Sequence, residues 1–516
     1  MRILGILLQA AMIAACCVLS GWRLLHYFQL ESYQLPGYAR SVRRNVTRAV
    51  MPTVAVAAAG VGATVLHALI IVRMALIFSL STVLFLQAGR EKAKKPFVVT
   101  ERVKRLIAIH AVTAFLVALL ALAVSPVLGY LVPAYEAALI ALAAVCAAPV
   151  EKRINRQFVD DAKARLDARP ELIKIGITGS YGKTSTKFLL RDILSVKFNV
   201  LATPSSFNTT MGVTRVIREQ LTPAHQVFIA EMGARHVGDI RELVELVRPT
   251  MGLITSVGPQ HLDTFGTIER IKNTKYELID GLPQNGTAIL ARDGAICEEL
   301  YARCPLEHKY MPGDLVQASD MEWGPFGTRF TLTDTKTGES ARCETRLLGE
   351  HSIANLLLCC TAARVLGMTL AEIAQGVARC QPVEHRLELI SGGAGVSIID
   401  DAFNANPVGA QAALRVLKNF PGRRIVITPG MVELGGEEAA FNRSFGEQMA
   451  DSVDVAILVG KKHTQPIVDG LLAKGFPQEK IHVVSSLDES TRVLHAMMRS
   501  GDVVLYENDL PDNYSE

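Results

Sequence analysis

The apolar residues of this chain are crowded into its first 150 positions. Ile3 to Trp22 is apolar almost without interruption, a length that spans a bilayer. Residues 52–89 are apolar over about two crossings, broken by Arg73, and residues 106–150 over about two more, broken near Ser125, Pro126 and Pro133. The reading is a membrane region of about five helices followed by a soluble part of enzyme size. The stretch after Trp22, RLLHYFQL, lacks the small residues of a cleavage site, so the first run reads as an uncleaved anchor.

Positive charge sets the orientation. One cluster (Arg23, Arg40, Arg43, Arg44, Arg48) follows the first run. A second (Arg90, Lys92, Lys94, Lys95, Arg102, Lys104, Arg105) follows the third, and Lys152, Arg153 and Arg156 stand at the exit. If 51–89 and 106–150 are hairpins, all three clusters lie on one side, which is the cytoplasm. Tyr130 and Tyr135 then mark the outer interface. The plainer alternative is that these runs are buried helices of a soluble core. The net charge of +4 gives no reason to expect a nucleic-acid partner. Nine cysteines without a C-x-x-C pair argue against a zinc ribbon and suit a reducing compartment.

Residues 151–171 are charged and helix-prone and read as a linker. Beyond them the pattern changes. β-branched runs at 173–178 and within 225–234 and 250–259 alternate with helical stretches. A second block, 346–516, repeats the pattern with runs at 397–400, 424–428, 455–459, 481–484 and 503–506. Such alternation predicts α/β domains with mainly parallel sheets, whose ligands gather beyond the carboxyl ends of the strands.

The stretch KIGITGSYGKTSTKFLL, Lys174–Leu190, reads as a buried strand, a glycine turn and a helix start. Successive N–H groups at Gly179, Ser180, Tyr181 and Gly182, with a helix N-terminus behind them, favour an anion. The longer phosphate-loop pattern G-x-x-x-x-G-K-[ST] is not met, because Ile177 stands where its first glycine belongs. In a phosphate loop Lys183 reaches the β- and γ-phosphates and the Thr184 hydroxyl ligates Mg²⁺. Glu231, at the end of the next strand, is placed to hold the same ion, though a solvated strand-end glutamate would look the same. His261 follows the third strand and Lys275 lies beyond it; taken alone, a structural histidine and a surface lysine are the usual cases.

These residues assemble into a pattern. GITGSYGKTST, FNTTMGV, AEMGARHVGDI, SVGPQHLDTFGTIERIKNTKYELIDGLP, LGEHSIANLLL, HRLE, DDAFNANP and PGMVELGGE follow one another as in the Mur ligases. From the glycine turn to the last strand the chain resembles that family, nearest to the branch that joins D-Ala-D-Ala to UDP-MurNAc-tripeptide. The resemblance implies a central ATP-binding domain at 172–345 and a Rossmann-like C-terminal domain at 346–516. It implies an ATP-dependent, ADP-producing ligase: a substrate carboxylate becomes an acyl phosphate, and an amine then displaces the phosphate.

Position by position, the resemblance gives the nucleotide to Gly179, Ser180, Tyr181, Gly182, Lys183, Thr184 and Ser185. Asn355 takes the adenine side, and Arg386 and Asp401 reach the nucleotide from the C-terminal domain. Thr184 and Glu231 match ligands of one Mg²⁺ and His261 a ligand of a second. Lys275 aligns with a lysine that is carbamylated in several members and then bridges towards metal. Lys183, His261, Lys275, Arg386 and Asp401 form the implied catalytic set, with Asn208, Thr209, Asn404 and Asn406 on the substrate side.

The chain departs from the family in three places. Apolar runs occupy the region where the resembled branch has its UDP-binding domain. Ser352 replaces the first asparagine of H-N-x-x-N. The last strand ends in VVLYENDLPDNY, with Glu507, Asp509 and Asp512, where a Lys-Gly-Ser-type turn is usual. An acidic end suits a cationic or free-amine acceptor. The expectation is a membrane-anchored amide ligase of the cell envelope, using a small-molecule or lipid-linked carboxylate and an amine. The alternatives are a poly-γ-glutamate-type or natural-product ligase and, from another class, a nucleotide-dependent membrane sensor or transport ATPase.

Overall fold

The computed structural model describes residues 2–90, 96–205, 207–260, 262–393, 395–403, 406–432, 434–461 and 463–509. Lys92, Lys94, Lys95 and Asp512, named above, lie outside these residues. The chain forms two compact units, Met1–Gln157 and Phe158–Glu516.

The first unit is helical. Among the described residues, four stretches are long and apolar enough to cross a membrane: Ile3–Ser20, Ile70–Arg90, Glu101–Val124 and Pro126–Asp167. Met51–Val65 is apolar but shorter. The break in the first hairpin comes before Arg73. His67 takes a left-handed conformation, and the N–H groups of His67 and Ala68 close back on the carbonyls of Thr64 (3.1 Å) and Ala63 (3.0 Å). That pair of bonds is a Schellman stop, so the helix ends at Val65 and Arg73 falls inside the next one. The helix Glu136–Asp167 runs through Pro149 and occupies most of the stretch read as a linker. Glu136 at its start lies 2.7 Å from His110 Nε2, both side chains fully buried.

The second unit contains two parallel-type sheets. The first consists of β1 Ile173–Thr178, β2 Val200–Ala202, β3 Val227–Glu231, β4 Met251–Ile254, β5 Thr287–Leu290 and β6 His308–Tyr310, in the order β2-β3-β1-β4-β5-β6. All pairings are parallel. β3 is buried throughout, which is why it reads as a continuous apolar run. From β1 the chain turns to one side for β2 and β3, then crosses to the other for β4. The order reverses at β1, and ligands of open α/β sheets bind at such a switch point.

A small antiparallel sheet follows, β7 Val316–Gly324, β8 Gly327–Asp334 and β9 Ser340–Thr345, whose inward residues share a core with the helix Glu350–Val365. The second large sheet has the order β10-β11-β15-β12-β13-β14, from β10 Glu388–Ser391, β11 Ser397–Asp401, β12 Arg424–Thr428, β13 Val455–Val459, β14 Ile481–Val484 and β15 Val503–Glu507. Only β10 runs antiparallel to its neighbour.

Candidate active site

The glycine turn sits at the carboxyl end of β1. Gly179 has φ +151° and Gly182 φ +79°, a left-handed residue that caps the helix Lys183–Leu194. The left-handed φ favours glycine here, and a Cβ at Gly182 would stand 2.7 Å from Asn355 Oδ1 and push that amide aside. The loop is pinned to the end of β4. Ser180 N–H donates to Ser256 O (2.7 Å), the Ser180 hydroxyl to Gly258 O (2.9 Å) and the Tyr181 hydroxyl to Pro259 O (2.7 Å). The Lys183 ammonium curls back over the turn and donates to Gly179 O (2.7 Å) and Ser180 O (2.9 Å). Burial lowers it to about 8, Arg386 adding to the shift and Glu231 opposing it.

Glu231, the last residue of β3, is the hub of the site. It is 1% exposed and yet ringed by donors. The Thr184 hydroxyl (3.1 Å) and the Asn208 amide (3.0 Å) donate to Oε1, and the fully buried Lys187 ammonium (3.0 Å) donates to Oε2. Burial pushes Glu231 up, but Lys187, Lys183 and Asn208 outweigh it and hold the carboxyl below its ordinary value. Lys187 is the residue the sequence reading missed. It lies one helical turn beyond Lys183, so the same face carries both cations.

Lys275, in the helix Ile268–Asp280, is 2% exposed, which removes the surface-lysine alternative. Burial, reinforced by the nearby charge of Lys183, holds its amine well below the usual lysine range, against the pull of Asp239 and Glu277. Thr209 caps the helix Thr210–Glu219, accepting from Gly212 N–H (3.3 Å), and Asn406 caps Pro407–Lys418, accepting from Gly409 N–H (2.9 Å). Ser185 lies in the first turn behind the loop, half-buried. His261 and Asn404 lie outside the described residues.

From the second block, HRLE and DDAF interlock. His385 (φ +60°) and Leu387 (φ +47°) both take left-handed conformations that non-glycine residues avoid. His385 is held by Asp400 (Nδ1 to Oδ2, 2.7 Å), and Leu387 N–H donates to Asp401 Oδ1 (3.1 Å). The strained segment fixes Arg386 between them. Its guanidinium lies over the Phe403 ring at 4.6 Å, and it lies in the electrostatic reach of both Asp401 and Glu231.

The arrangement offers a glycine turn at a helix N-terminus and a lysine for phosphate, oxygen donors for a hard cation, and an arginine facing the same cluster. A model of the Mur ligase middle domain matches residues 177–363, and one of the Mur ligase glutamate ligase domain matches 385–506. The UDP-N-acetylmuramoyl-tripeptide–D-alanyl-D-alanine ligase of Escherichia coli is 33% identical, over 56% of this chain and 64% of its own length. That of Mycobacterium bovis is 32% identical, over 64% and 69%. The chain thus spans about two thirds of these relatives. Among solved structures, MurF from Acinetobacter baumannii superposes with TM-score 0.63 at 25% identity, covering 70% of this chain and 78% of the other. MurF from Thermotoga maritima in complex with ADP gives 0.61 at 25%, covering 69% and 80%.

Proposed function

The chain belongs to the Mur ligase family, and we propose that it is an ATP-dependent ligase that joins a carboxylate to an amine in building a peptidoglycan precursor. The observation that carries this reading is the Glu231 hub: a buried, ionised carboxylate touching the Thr184 hydroxyl beside a glycine turn and Lys183. Hydroxyl and carboxylate oxygens are the donors that Mg²⁺ takes, so Thr184 and Glu231 fit such an ion, which supplies charge neutralisation at the phosphates. Gly179 to Ser185 bind the nucleotide phosphates. Lys183 leaves the carbonyls it now caps and turns to the transferring phosphoryl group, where negative charge builds. Asn355 stands on the nucleotide side, and Arg386, steadied by Asp401, closes on the phosphates from the second block and excludes water. Lys187 and Asn208 orient Glu231. Lys275, held neutral by burial, is the form of lysine that takes up CO₂, and its carbamate would restore a negative charge beside the site.

The relatives' names supply the substrate class: a muramoyl tripeptide as carboxylate and D-alanyl-D-alanine as amine. The apolar helices of the first unit anchor the enzyme in a membrane with its ligase domains on the cytoplasmic side, which favours a carboxylate presented at the membrane surface. Four helices of spanning length and the basic clusters between them support this.

The test uses detergent-purified full-length protein with Mg²⁺ and ATP. Phosphate release and amide formation by mass spectrometry are followed with UDP-MurNAc-tripeptide or a lipid-linked precursor, each against D-Ala-D-Ala and free amino acids. Lys183→Ala is the blank. Release that requires both a carboxylate and an amine, with a new amide, is expected. Turnover independent of both, yet lost in Lys183→Ala, would replace the ligase with an ATP-driven sensor or motor.

A further inference from the structure

The carboxyl edge of the second sheet sets beside Asp401, which steadies Arg386, a second acid that these roles leave unused. Asp401 and Glu507 are register partners, each the last residue of its strand, on the adjacent parallel strands β11 and β15. Glu507 is 1% exposed, and among the described residues neither of its carboxylate oxygens has a hydrogen-bond donor. Asp401 stands nearer the surface and receives one backbone N–H, from Leu387. A buried carboxylate without donors is costly, and two side by side do not both ionise. One proton held between them turns an acceptor–acceptor contact into a hydrogen bond.

The surroundings do not discharge the pair. Asp400, on the same strand, adds negative charge, and Tyr506 precedes Glu507 on the other. The cation that faces Asp401 is Arg386, which is shared with Glu231 and whose charge also reaches Lys183 and Lys187. The pair therefore borders the same charged cluster as the phosphate loop. It also lies at the carboxyl ends of parallel strands, where such sheets take their ligands.

We propose that Asp401 and Glu507 form the docking point for the ammonium group of the acceptor substrate, Asp401 touching it and Glu507 supplying charge from behind. The proposal rests on the ligase reading above and narrows the acceptor to amines that arrive protonated. An ammonium supplies the hydrogen-bond donors that Glu507 lacks among the described residues and a charge the pair does not share with Glu231; it displaces the shared proton, and when the amine attacks the acyl phosphate the ionised pair takes one proton back. Burial raises Asp401 to about 7, so the pair ionises for a cation more readily as pH rises through neutrality. The sign follows: KM for the ammonium substrate falls as pH rises through about 7, until the amine itself loses its proton.

The test separates docking from acyl activation. Full-length protein receives ATP, Mg²⁺ and the carboxylate active in the assay above. The nucleophile is either the best ammonium substrate of that panel or hydroxylamine, which is uncharged at neutral pH and traps an acyl phosphate as a hydroxamate. In Glu507→Gln, KM for the ammonium substrate rises about tenfold, its fall with pH flattens, and hydroxamate formation stays at the wild-type rate. Glu507→Lys, which repels a cation, gives a larger loss with hydroxamate retained. An unchanged KM in Glu507→Gln would overturn the proposal. So would equal losses of amide and hydroxamate, which would make Glu507 a structural or nucleotide-side residue. Failure of the wild type to form hydroxamate with any carboxylate would instead overturn the ligase reading, and the proposal with it.

Discussion

Two glutamates end two parallel strands in the two large sheets, and their surroundings could hardly differ more. Glu231 closes β3 and receives a hydroxyl, an amide and an ammonium within 3.1 Å. Glu507 closes β15 and receives no donor on either oxygen among the described residues. Both are 1% exposed. The first is held below the ordinary carboxylate range, and the second is pushed well above it by burial and by Asp401. The strand end brings a carboxylate to the ligand edge of a sheet; the neighbours decide whether it is charged there. One sheet has built a permanent anion and the other an acid that ionises when something pairs with it.

The largest effect expected from this contrast comes from stripping Glu231 of its cation. Lys187→Ala removes the one ammonium that touches Glu231, leaving Lys183 nearby and the Thr184 and Asn208 donors, and should destabilise the protein by about 3 kcal/mol, the low end for a broken buried ion pair, seen as a lowered midpoint in denaturant. A change under 1 kcal/mol would show the hub to be solvated. Removing one neutral donor costs less: Asn208→Ala should lose about 1.5–3 kcal/mol in the same measurement, the range for a hydrogen bond to a charged group.

The smallest effect has the opposite sign. Asp401 is raised from 3.8 to about 7, so the native state binds the extra proton. The stability this contributes is present at low pH and is lost as pH climbs between those values. Glu507 is itself pushed well above its ordinary range, by burial and by Asp401, and carries a penalty of the same sign; Glu507→Gln removes it, so the variant should be more stable than wild type by about 1 kcal/mol at pH 8 and equal to it near pH 4. Thermal melts at the two pH values read the difference, and a variant less stable than wild type at pH 8 would show that the two acids do not compete. The gain in stability would accompany a loss in acceptor binding, as expected where a site stores unfavourable charge.

Much of this architecture is legible in the chain. β1, the helix Lys183–Leu194 and the strands β12 and β13 lie where the β-branched runs and the glycine turn place them, because buried parallel strands are largely apolar along their length; β14, an edge strand, is found at its run too. β7 to β9 are not, since their outward residues are polar and their burial alternates. β2 is too short to carry a pattern, and β10 is a half-exposed edge. In the site, Lys183, Thr184 and Glu231 are announced by motif, but Lys187 resembles any helix lysine until its distance to Glu231 is known. The acidity of Glu507 is visible in the chain; its partner, one hundred and six residues earlier, emerges only from the pairing of β11 with β15.

The measurement closest to the central claim follows one oxygen atom. The carboxylate substrate, UDP-MurNAc-tripeptide or the lipid-linked precursor, is labelled with oxygen-18 in its reacting carboxyl group and turned over with ATP and amine. An acyl phosphate intermediate transfers one labelled oxygen to the released phosphate, and that is the result predicted here. Phosphate released without label would mean that water, not the substrate carboxylate, attacks ATP, and would contradict the assignment of this chain as a ligase.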